Sequence, residues 1–401
     1  MDKKGSFYGM VALVAVLAAV LALFHAKPAG AAPTYQVHNL VSDLVGIADN
    51  YDPNLKNPWG ISSSATSPFW ISDNHSGLAT LYNGSGQPFP VGSPLVVTIP
   101  TPAGGTPPSA PTGQVFNAGS SFDVGVNQPA RFIFATEDGT ISGWNSGTSA
   151  ILKVDNSASG AVYKGLAIGN NGSGDFLYAT NFQAGTIDVF DSSFAPTTLA
   201  GSFSDPSIPS GFAPFNIQNL VGKLYVTYAK QDAAKHDDVP GPGNGFVDVF
   251  DLNGNLLKRL ISDGPLNSPW GLALAPSSFG DFSNTLLVGN FGDGLINAFD
   301  PSTGAFLGQI QNAWRTPIAI KGLWGLKFGN GGNGGDSNTL YFTAGIPGPP
   351  PGEVEDHGLF GSIQPVQPAP VPAMTRGGLT AFVLLLAGSM FVVLRRKSRR
   401  A

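Results

Sequence analysis

Cysteine is absent from this chain of 401 residues, so no disulfide can stabilise it and no thiol can serve as a nucleophile or metal ligand. Charged residues are also scarce, at 12% of the chain, which leaves little material for long amphipathic helices. Histidine occurs five times, and neither a Gly-x-Ser-x-Gly nor a His-Glu-x-x-His pattern is present. Glycine (53) and proline (33) are abundant instead. This composition predicts an all-β protein with many turns and without a recognised catalytic motif.

The N-terminal segment is typical of export. Lys3 and Lys4 precede an apolar run from Met10 to Phe24, and small residues follow at Ala29–Ala32. Residues 1–32 are therefore predicted to be a signal peptide. A retained membrane anchor is the alternative, although the apolar run is shorter than the ~20 residues that span a bilayer.

The C-terminal segment carries a second membrane signal. Residues 377–394 contain no charge, and five basic residues follow within 395–401. We expect a transmembrane helix over 377–394 and a basic cytoplasmic tail over 395–401, because basic residues stay on the cytoplasmic side. Residues 364–376 then form a Pro-rich linker, and the protein is predicted to sit at the cell surface with a single-pass anchor.

The net charge argues against nucleic acid as a partner. The two ends carry net charges of +2 (residues 1–32) and +5 (residues 395–401), which leaves −12 on the part between them. An acidic surface of this kind suits solubility outside the cell and repels phosphate backbones.

An internal repeat predicts the architecture of residues 33–363. Each unit has a short apolar strand, a turn rich in Gly, Asn, Ser and Asp, a second apolar strand, and a third strand such as Gly185–Asp191 or Gly294–Asp300. Six units are counted from openings at Trp59, Phe116, Gly165, Phe215, Trp270 and Trp324. A period near 50 residues with three or four strands is typical of propeller blades. We therefore expect a six-bladed β-propeller, with a β-sandwich or solenoid as the alternative.

The segment Thr34–Ile47 precedes the first unit and alternates around Tyr35, Val37 and Leu40. It is predicted to pair with the last blade, because such closure removes an exposed sheet edge.

Several sequence motifs resemble those of six-bladed propellers of the NHL and gluconolactonase-like kind. They are the openings Pro58-Trp59-Gly60-Ile61, Pro269-Trp270-Gly271-Leu272 and Leu323-Trp324-Gly325-Leu326, together with third strands that end in Phe-Asp. The chain as a whole also resembles uncharacterised bacterial exported proteins with a short C-terminal sorting tail of the PEP-CTERM type. Here Val371-Pro372-Ala373-Met374 stands where such tails have Pro-Glu-Pro. The resemblance implies a fold more directly than an activity.

The recurring tryptophans Trp59, Trp270 and Trp324 admit two interpretations. They could form a face on which a ligand stacks, or they could be core residues. The second is favoured, because a large aromatic followed by Gly at a fixed strand position suits close packing.

A cation site is the main chemical hypothesis, since a propeller channel can gather oxygen ligands from several blades, as calcium requires. The candidates are the polar residues at the ends of second strands: Asp73, Asn74, Glu137, Asp138, Asn181 and Asn290. The alternative is that Asp and Asn are there as turn formers. No catalytic or cofactor-binding residue is assigned, although His75 and His357 are the best placed as general bases.

One polar insertion, Lys230–Asn244, interrupts an otherwise compact unit. It is either a binding loop or lid, or a decoration without function.

Two functions follow from these observations. The first is a surface binding module whose propeller face takes a glycan, a peptide or a surface-matrix component. The alternative is a metal-dependent, calcium-type hydrolase or lactonase that uses the propeller channel.

Overall fold

A computed structural model describes residues 34–366. They form one compact unit of short strands with two 3₁₀ turns, at Ser157–Ser159 and Gly280–Phe282. In chain order the strands are β1 (Thr34–Ser42), β2 (Asn50–Tyr51), β3 (Pro58–Ser62), β4 (Phe69–Asp73), β5 (Leu78–Tyr82), β6 (Val96–Thr98), β7 (Pro111–Phe116), β8 (Asp123–Gly125), β9 (Gln128–Pro129), β10 (Phe132–Thr136), β11 (Thr140–Trp144), β12 (Ile151–Asp155), β13 (Tyr163–Asn170), β14 (Asp175–Asn181), β15 (Thr186–Phe190), β16 (Pro196–Thr197), β17 (Phe212–Leu220), β18 (Lys223–Lys230), β19 (Phe246–Phe250), β20 (Leu256–Ser262), β21 (Pro269–Leu274), β22 (Leu286–Asn290), β23 (Ile296–Phe299), β24 (Phe306–Gln309), β25 (Leu323–Phe328), β26 (Leu340–Ile346) and β27 (His357–Val366).

These strands build the six sheets that are the blades of a β-propeller, antiparallel apart from the short parallel pair of β1 with β2, and β8 and β9 form a separate two-stranded sheet. Blade 1 is β3-β4-β5-β6, blade 2 is β7-β10-β11-β12, and blades 3 to 5 take four consecutive strands each. Their first strands, β3, β7, β13, β17, β21 and β25, contact one another in a closed ring around the central channel. The prediction of an all-β, six-bladed propeller is confirmed.

Blade 6 is completed by the N-terminal strand. Its order is β25-β26-β27-β1-β2, and β1 runs antiparallel to β27 from the pair Thr34–Val366 to the pair Ser42–Leu359. The Tyr35 hydroxyl also donates a hydrogen bond of 2.8 Å to the backbone oxygen of Phe279, in blade 5. The predicted closure by Thr34–Ile47 is therefore confirmed, and the strand that closes the ring is held from two sides.

The structure corrects two of the predicted unit openings. Strand β7 ends at Phe116, so blade 2 opens near Thr112, and blade 3 opens at Lys164. The position of Trp59 is thus taken by Thr112, Lys164, Phe215, Trp270 and Trp324 in the other blades, at a spacing of 51 to 55 residues. The second and third openings, Phe116 and Gly165, were misplaced because Thr and Lys replace the aromatic residue from which the units were counted.

The glycine after this position allows the inner strands to approach one another. A Cβ atom on Gly271 would lie 2.6 Å from the backbone oxygen of Trp324, and one on Gly325 would lie 2.7 Å from that of Trp59. In blade 4 the place belongs to Asn216, whose amide instead donates a 2.7 Å hydrogen bond to the backbone oxygen of Trp270. The Trp-Gly pairs therefore reflect the tight inner ring of the propeller.

Within residues 34–366, no helix is long and apolar enough to cross a bilayer. The predicted signal peptide, most of the linker, the transmembrane helix and the basic tail lie outside the described residues.

Candidate functional site

Aromatic side chains fill the centre of the ring. Trp59 and Trp324 stack with ring centroids 3.5 Å apart, and Trp270 meets both rings edge-on at 6.0 and 5.8 Å. Phe215 packs against Trp324, and all four residues are at most 3% exposed. The tryptophans are therefore core residues, as the sequence favoured, although they pack on one another across the channel. We call this group the aromatic plug (Trp59, Phe215, Trp270 and Trp324).

Lys164 lies beside the plug, at the position that Trp occupies in three other blades. Its ammonium contacts a carboxylate oxygen of Glu137 and lies 3.2 Å from Oδ1 of Asp237. It also lies 5.2 Å from the centre of the Trp59 ring, while the side chain is only 2% exposed. Burial by itself disfavours the charged amine, but the two carboxylates more than offset this and raise the pKa of Lys164. The lysine is thus a permanent internal cation.

A continuous chain of hydrogen bonds leads away from this lysine through blades 2, 1 and 6. Asn74 donates a 2.8 Å hydrogen bond to the second carboxylate oxygen of Glu137. Asn57 donates to Oδ1 of Asn74 at 3.4 Å and to Oε1 of Glu355 at 2.9 Å, and its amide lies 3.3 Å from Nε2 of His75. The Asn57 oxygen accepts a bond from the Trp324 indole, so the network rests directly on the plug.

Glu355 lies in the turn between β26 and β27. Burial is the largest influence on it and raises the pKa of this carboxyl to about 7, against the opposing effect of its hydrogen bond from Asn57. Glu355 and Asn57 both have positive φ angles, of 79° and 45°. Such backbone conformations are unfavourable for residues other than glycine and cluster at functional sites.

The polar insertion in blade 4 completes the site from the other side. His236 Nδ1 lies 2.9 Å from Oδ1 of Asp237, and this bond lowers the pKa of Asp237 while raising that of His236. Both side chains are open to solvent, at 66% exposure for Asp237 and 47% for His236. The neighbouring Asp238 is half-buried, and desolvation raises the pKa of its carboxyl to about 6, against the opposing effect of its interaction with the Ser268 hydroxyl. The insertion is thus part of the site.

We call this assembly the polar mouth, and it takes side chains from five of the six blades. Its members are Asn57, Asn74, His75, Glu137, Lys164, His236, Asp237, Asp238 and Glu355.

Comparison with known proteins places the chain in a family. No family model matches the chain. Two proteins of Acanthamoeba polyphaga mimivirus, "Uncharacterized protein R648" and "Uncharacterized protein L690", are each 33% identical to it over 351 residues. The alignments cover 84% of this chain and 82% and 87% of those proteins. The chain belongs to their family.

Solved structures resemble the chain at the level of the fold. A streptogramin B lyase is 13% identical and aligns over 85% of this chain and 100% of its own, with a TM-score of 0.47. The soluble aldose sugar dehydrogenase of Escherichia coli is 11% identical and aligns over 83% of this chain and 100% of its own, with a TM-score of 0.45. At such identities the resemblance concerns the propeller fold and no residue role.

Two of the predicted cation ligands, Asn74 and Glu137, meet in the polar mouth. The other four make local hydrogen bonds. Asp73 accepts from the Thr80 hydroxyl and Asp138 from the backbone of Ala110, while Asn181 donates to Asp188 and Asn290 to the backbone oxygen of Pro265. Of the two histidines, His75 lies in the polar mouth, and His357 pairs with Asp43 at 2.8 Å. The calcium hypothesis stays a prediction for this set.

A different trio has the spacing of a cation site. One ligand atom each of Glu137, His236 and Asp237 lies within 4.8 Å of the others. Oxygen and imidazole ligands suit several divalent cations. The fit is imperfect, because the Lys164 ammonium already contacts both carboxylates and a metal ion would have to share or displace it.

Three members of the polar mouth were missed from the sequence, Asn57, Lys164 and Glu355, whereas His236, Asp237 and Asp238 were singled out only as part of the insertion Lys230–Asn244. A signal existed for Lys164, because Lys164-Gly165 stands where other blades have Trp-Gly. A charged residue in an otherwise aromatic position predicts a buried ion pair.

Proposed function

We propose that the protein is a surface binding module and that the polar mouth is its ligand site. The ligand presents a protonated amine, as on a basic peptide or an amino sugar. The observation that supports this proposal is that carboxyl groups from blades 2, 4 and 6 gather at one end of the channel, where the carboxylate of Asp237 is open to solvent.

Charge balance supports this ligand chemistry. Glu137 and Asp237 contact the buried Lys164, and the His236 imidazole is bound to Asp237. The carboxyl groups of Asp238 and Glu355 lie close enough to be influenced by the charge of Lys164. Because the pKa of Asp237 is lowered, that residue stays ionised at neutral pH while it is 66% exposed. An exposed carboxylate in an acidic surround favours a cationic group and steers it by long-range attraction.

The closed channel supports recognition at the surface over catalysis within the channel. The aromatic plug lies directly beneath the polar mouth, since the Trp324 indole donates to Asn57 and Lys164 covers the Trp59 ring. A ligand at the mouth therefore stays on the face of the propeller. Binding at loops on a rigid scaffold is the common way in which such folds act.

The location that we propose is the cell surface, with the C-terminal segment 377–394 as the membrane anchor and residues 395–401 inside. This rests on the uncharged run and the basic tail of the sequence. Membrane fractionation of the full chain, followed by protease treatment of intact cells, tests it. Digestion of the propeller in intact cells is expected, and protection would contradict the proposal.

Binding is tested with two pairs of probes whose amino groups are either free and protonated or acetylated and uncharged. Oligolysine is compared with acetylated oligolysine, and chitosan oligomers are compared with their N-acetylated forms, by isothermal titration. We expect binding of the amine forms that weakens with salt, as exposed ion pairs do. The double variant Glu137→Gln with Asp237→Asn should lose it, whereas Asp123→Asn, an exposed carboxylate outside the mouth, should keep it. Equal binding of free and acetylated probes would refute the proposal.

A metal-dependent hydrolase or lactonase is the second candidate, and the trio Glu137, His236 and Asp237 favours it. Thermal unfolding with calcium, with other divalent cations and with chelator distinguishes it, because a ligand of the folded state raises its stability. A saturable upward shift that His236→Ala abolishes supports the hydrolase. The same midpoint under every condition would exclude a metal-dependent mechanism at this trio.

A further inference from the structure

A cavity lies at the end of the channel opposite the polar mouth, on the far side of the aromatic plug. Its volume is about 610 Å³, and all six inner strands line it, with Trp270 among its lining residues. Sites for small molecules usually measure about 300–1,000 Å³. The cavity is thus large enough for a small molecule, and it is separate from the polar mouth.

Lys327 is the one charged residue among the described residues that line this cavity. No hydrogen bond or ion pair joins its ammonium to another described side chain. Two other largely buried cations are each neutralised by two carboxylates, Lys164 by Glu137 and Asp237, and Arg259 by Asp205 and Asp248. Burial lowers the pKa of Lys327, which reflects the cost of a partly buried charge without a counter-ion. A positive charge is therefore offered to the cavity without an internal partner.

The rest of the lining defines what accompanies the charge. The side chains of Ser63 and Gln218 make no hydrogen bond to other described residues, so both remain available to a ligand. Gln114, in contrast, is fully engaged with the backbone oxygens of Gly60 and Trp70. Most other lining side chains are apolar, among them Phe116, Leu272, Leu274 and Phe328.

From this combination we infer that the cavity binds a small monocarboxylate with an apolar or aromatic body. The carboxylate pairs with the Lys327 ammonium, and the apolar body covers the leucine and phenylalanine side chains. The free side chains of Ser63 and Gln218 are available to the remaining polar atoms of the ligand. A single lysine matches one negative charge, which favours a monocarboxylate over a phosphate ester. This site is independent of the function proposed for the polar mouth.

The test uses the full chain and matched pairs of probes: benzoate with benzamide, phenylacetate with phenylacetamide, and hexanoate with hexanamide. Binding is measured by ligand-observed NMR. At least one carboxylate should bind about tenfold more tightly than its amide. Lys327→Met should abolish the preference, Lys327→Arg should retain it, and the exposed Lys321→Met should leave it unchanged.

A second readout does not depend on binding strength alone. A small amine-reactive reagent should modify Lys327 more slowly in the presence of the preferred carboxylate, whereas its modification of Lys321 should be unchanged. Peptide mass spectrometry measures both rates. The inference is overturned if no carboxylate of the panel binds at a concentration of about 10 mM, because a dissociation constant above this value is far weaker than that of a functional ligand. It is equally overturned if carboxylate and amide bind alike, or if Lys327→Met binds carboxylate as well as the parent protein.

Discussion

Replacing Lys164 with methionine should destabilise the propeller strongly. Methionine is close to lysine in length, so the substitution removes the charge while it largely keeps the packing beside Trp59. The carboxylate of Glu137, which is 12% exposed, then keeps only the hydrogen bond from Asn74 among the described side chains, whereas that of Asp237 is 66% exposed and returns to water. The loss therefore falls mainly on one buried carboxylate.

The magnitude follows from that imbalance. Removing one partner of a buried ion pair costs about 3–5 kcal/mol. Because Asn74 still donates to Glu137 and Asp237 is exposed, we expect Lys164→Met to lower the free energy of unfolding by about 3 kcal/mol, the lower end of this range. For a domain that spans residues 34–366 this corresponds to a fall in melting temperature of roughly 4 °C. Because the pKa of Lys164 is raised, its contribution is complete below the ordinary lysine pKa of 10.5 and is lost only as the pH rises beyond it.

Thermal unfolding at neutral pH, followed by circular dichroism, measures the effect. Lys321→Met, at an exposed position, is the control and should change the free energy of unfolding by less than about 0.5 kcal/mol. The double variant Lys164→Met with Glu137→Gln should recover part of the loss, because it removes both charges. If Lys164→Met is no less stable than the control, the buried ion pair does not support the fold as described.

Three further predictions concern other parts of the molecule. The carboxyl of Glu355 has a pKa of about 7 in the folded protein and about 4.5 in the unfolded chain, so the free energy of unfolding falls as the pH rises through this window. Glu355→Gln should remove this part of the pH dependence, on the order of 2 kcal/mol, as measured by urea unfolding at about pH 5 and about pH 8. An unchanged slope would contradict the burial of this carboxyl. Gly271→Ala should cost about 1–3 kcal/mol in thermal unfolding because the added Cβ meets the Trp324 backbone, while Gly174→Ala, whose nearest neighbours lie at 3.6 Å, should be nearly neutral. Tyr35→Phe leaves the buried Phe279 oxygen without its hydroxyl donor and should cost about 1–3 kcal/mol by the same assay; no loss would mean that this bond does not help to close the ring.

The fold could be predicted from the sequence because its information is periodic. Apolar strands, turn residues and Trp-Gly openings recur every 51 to 55 residues, and Thr34–Ile47 has the alternation of a pairing strand. The prediction failed locally where the repeat departs from its own pattern, at Thr112 and Lys164. Those departures are positions where a side chain other than an aromatic meets the channel, and a count based on aromatics passes over them.

The site could be predicted only in part, because its members come from different positions of their blades. Asn74 and Glu137 follow second strands, which made them visible as candidates. Lys164 stands in a first strand, Asp237 in an insertion and Glu355 in a later turn, and Asn57 joins Glu355 across 298 residues of chain. Such contacts depend on closure of the ring, so no local pattern in a single sequence announces them.

Hydrogen exchange of the protein with and without oligolysine tests whether the polar mouth is the ligand site, since it shows where a cationic ligand binds. We expect slower exchange in the segments that carry the polar mouth, residues 54–57, 74–77, 137–139, 232–238 and 353–357, with no change in the outer strands β6, β12 and β24. Protection confined to the outer strands or to the cavity beside Lys327, or no protection anywhere, would contradict the assignment of the polar mouth as the ligand site.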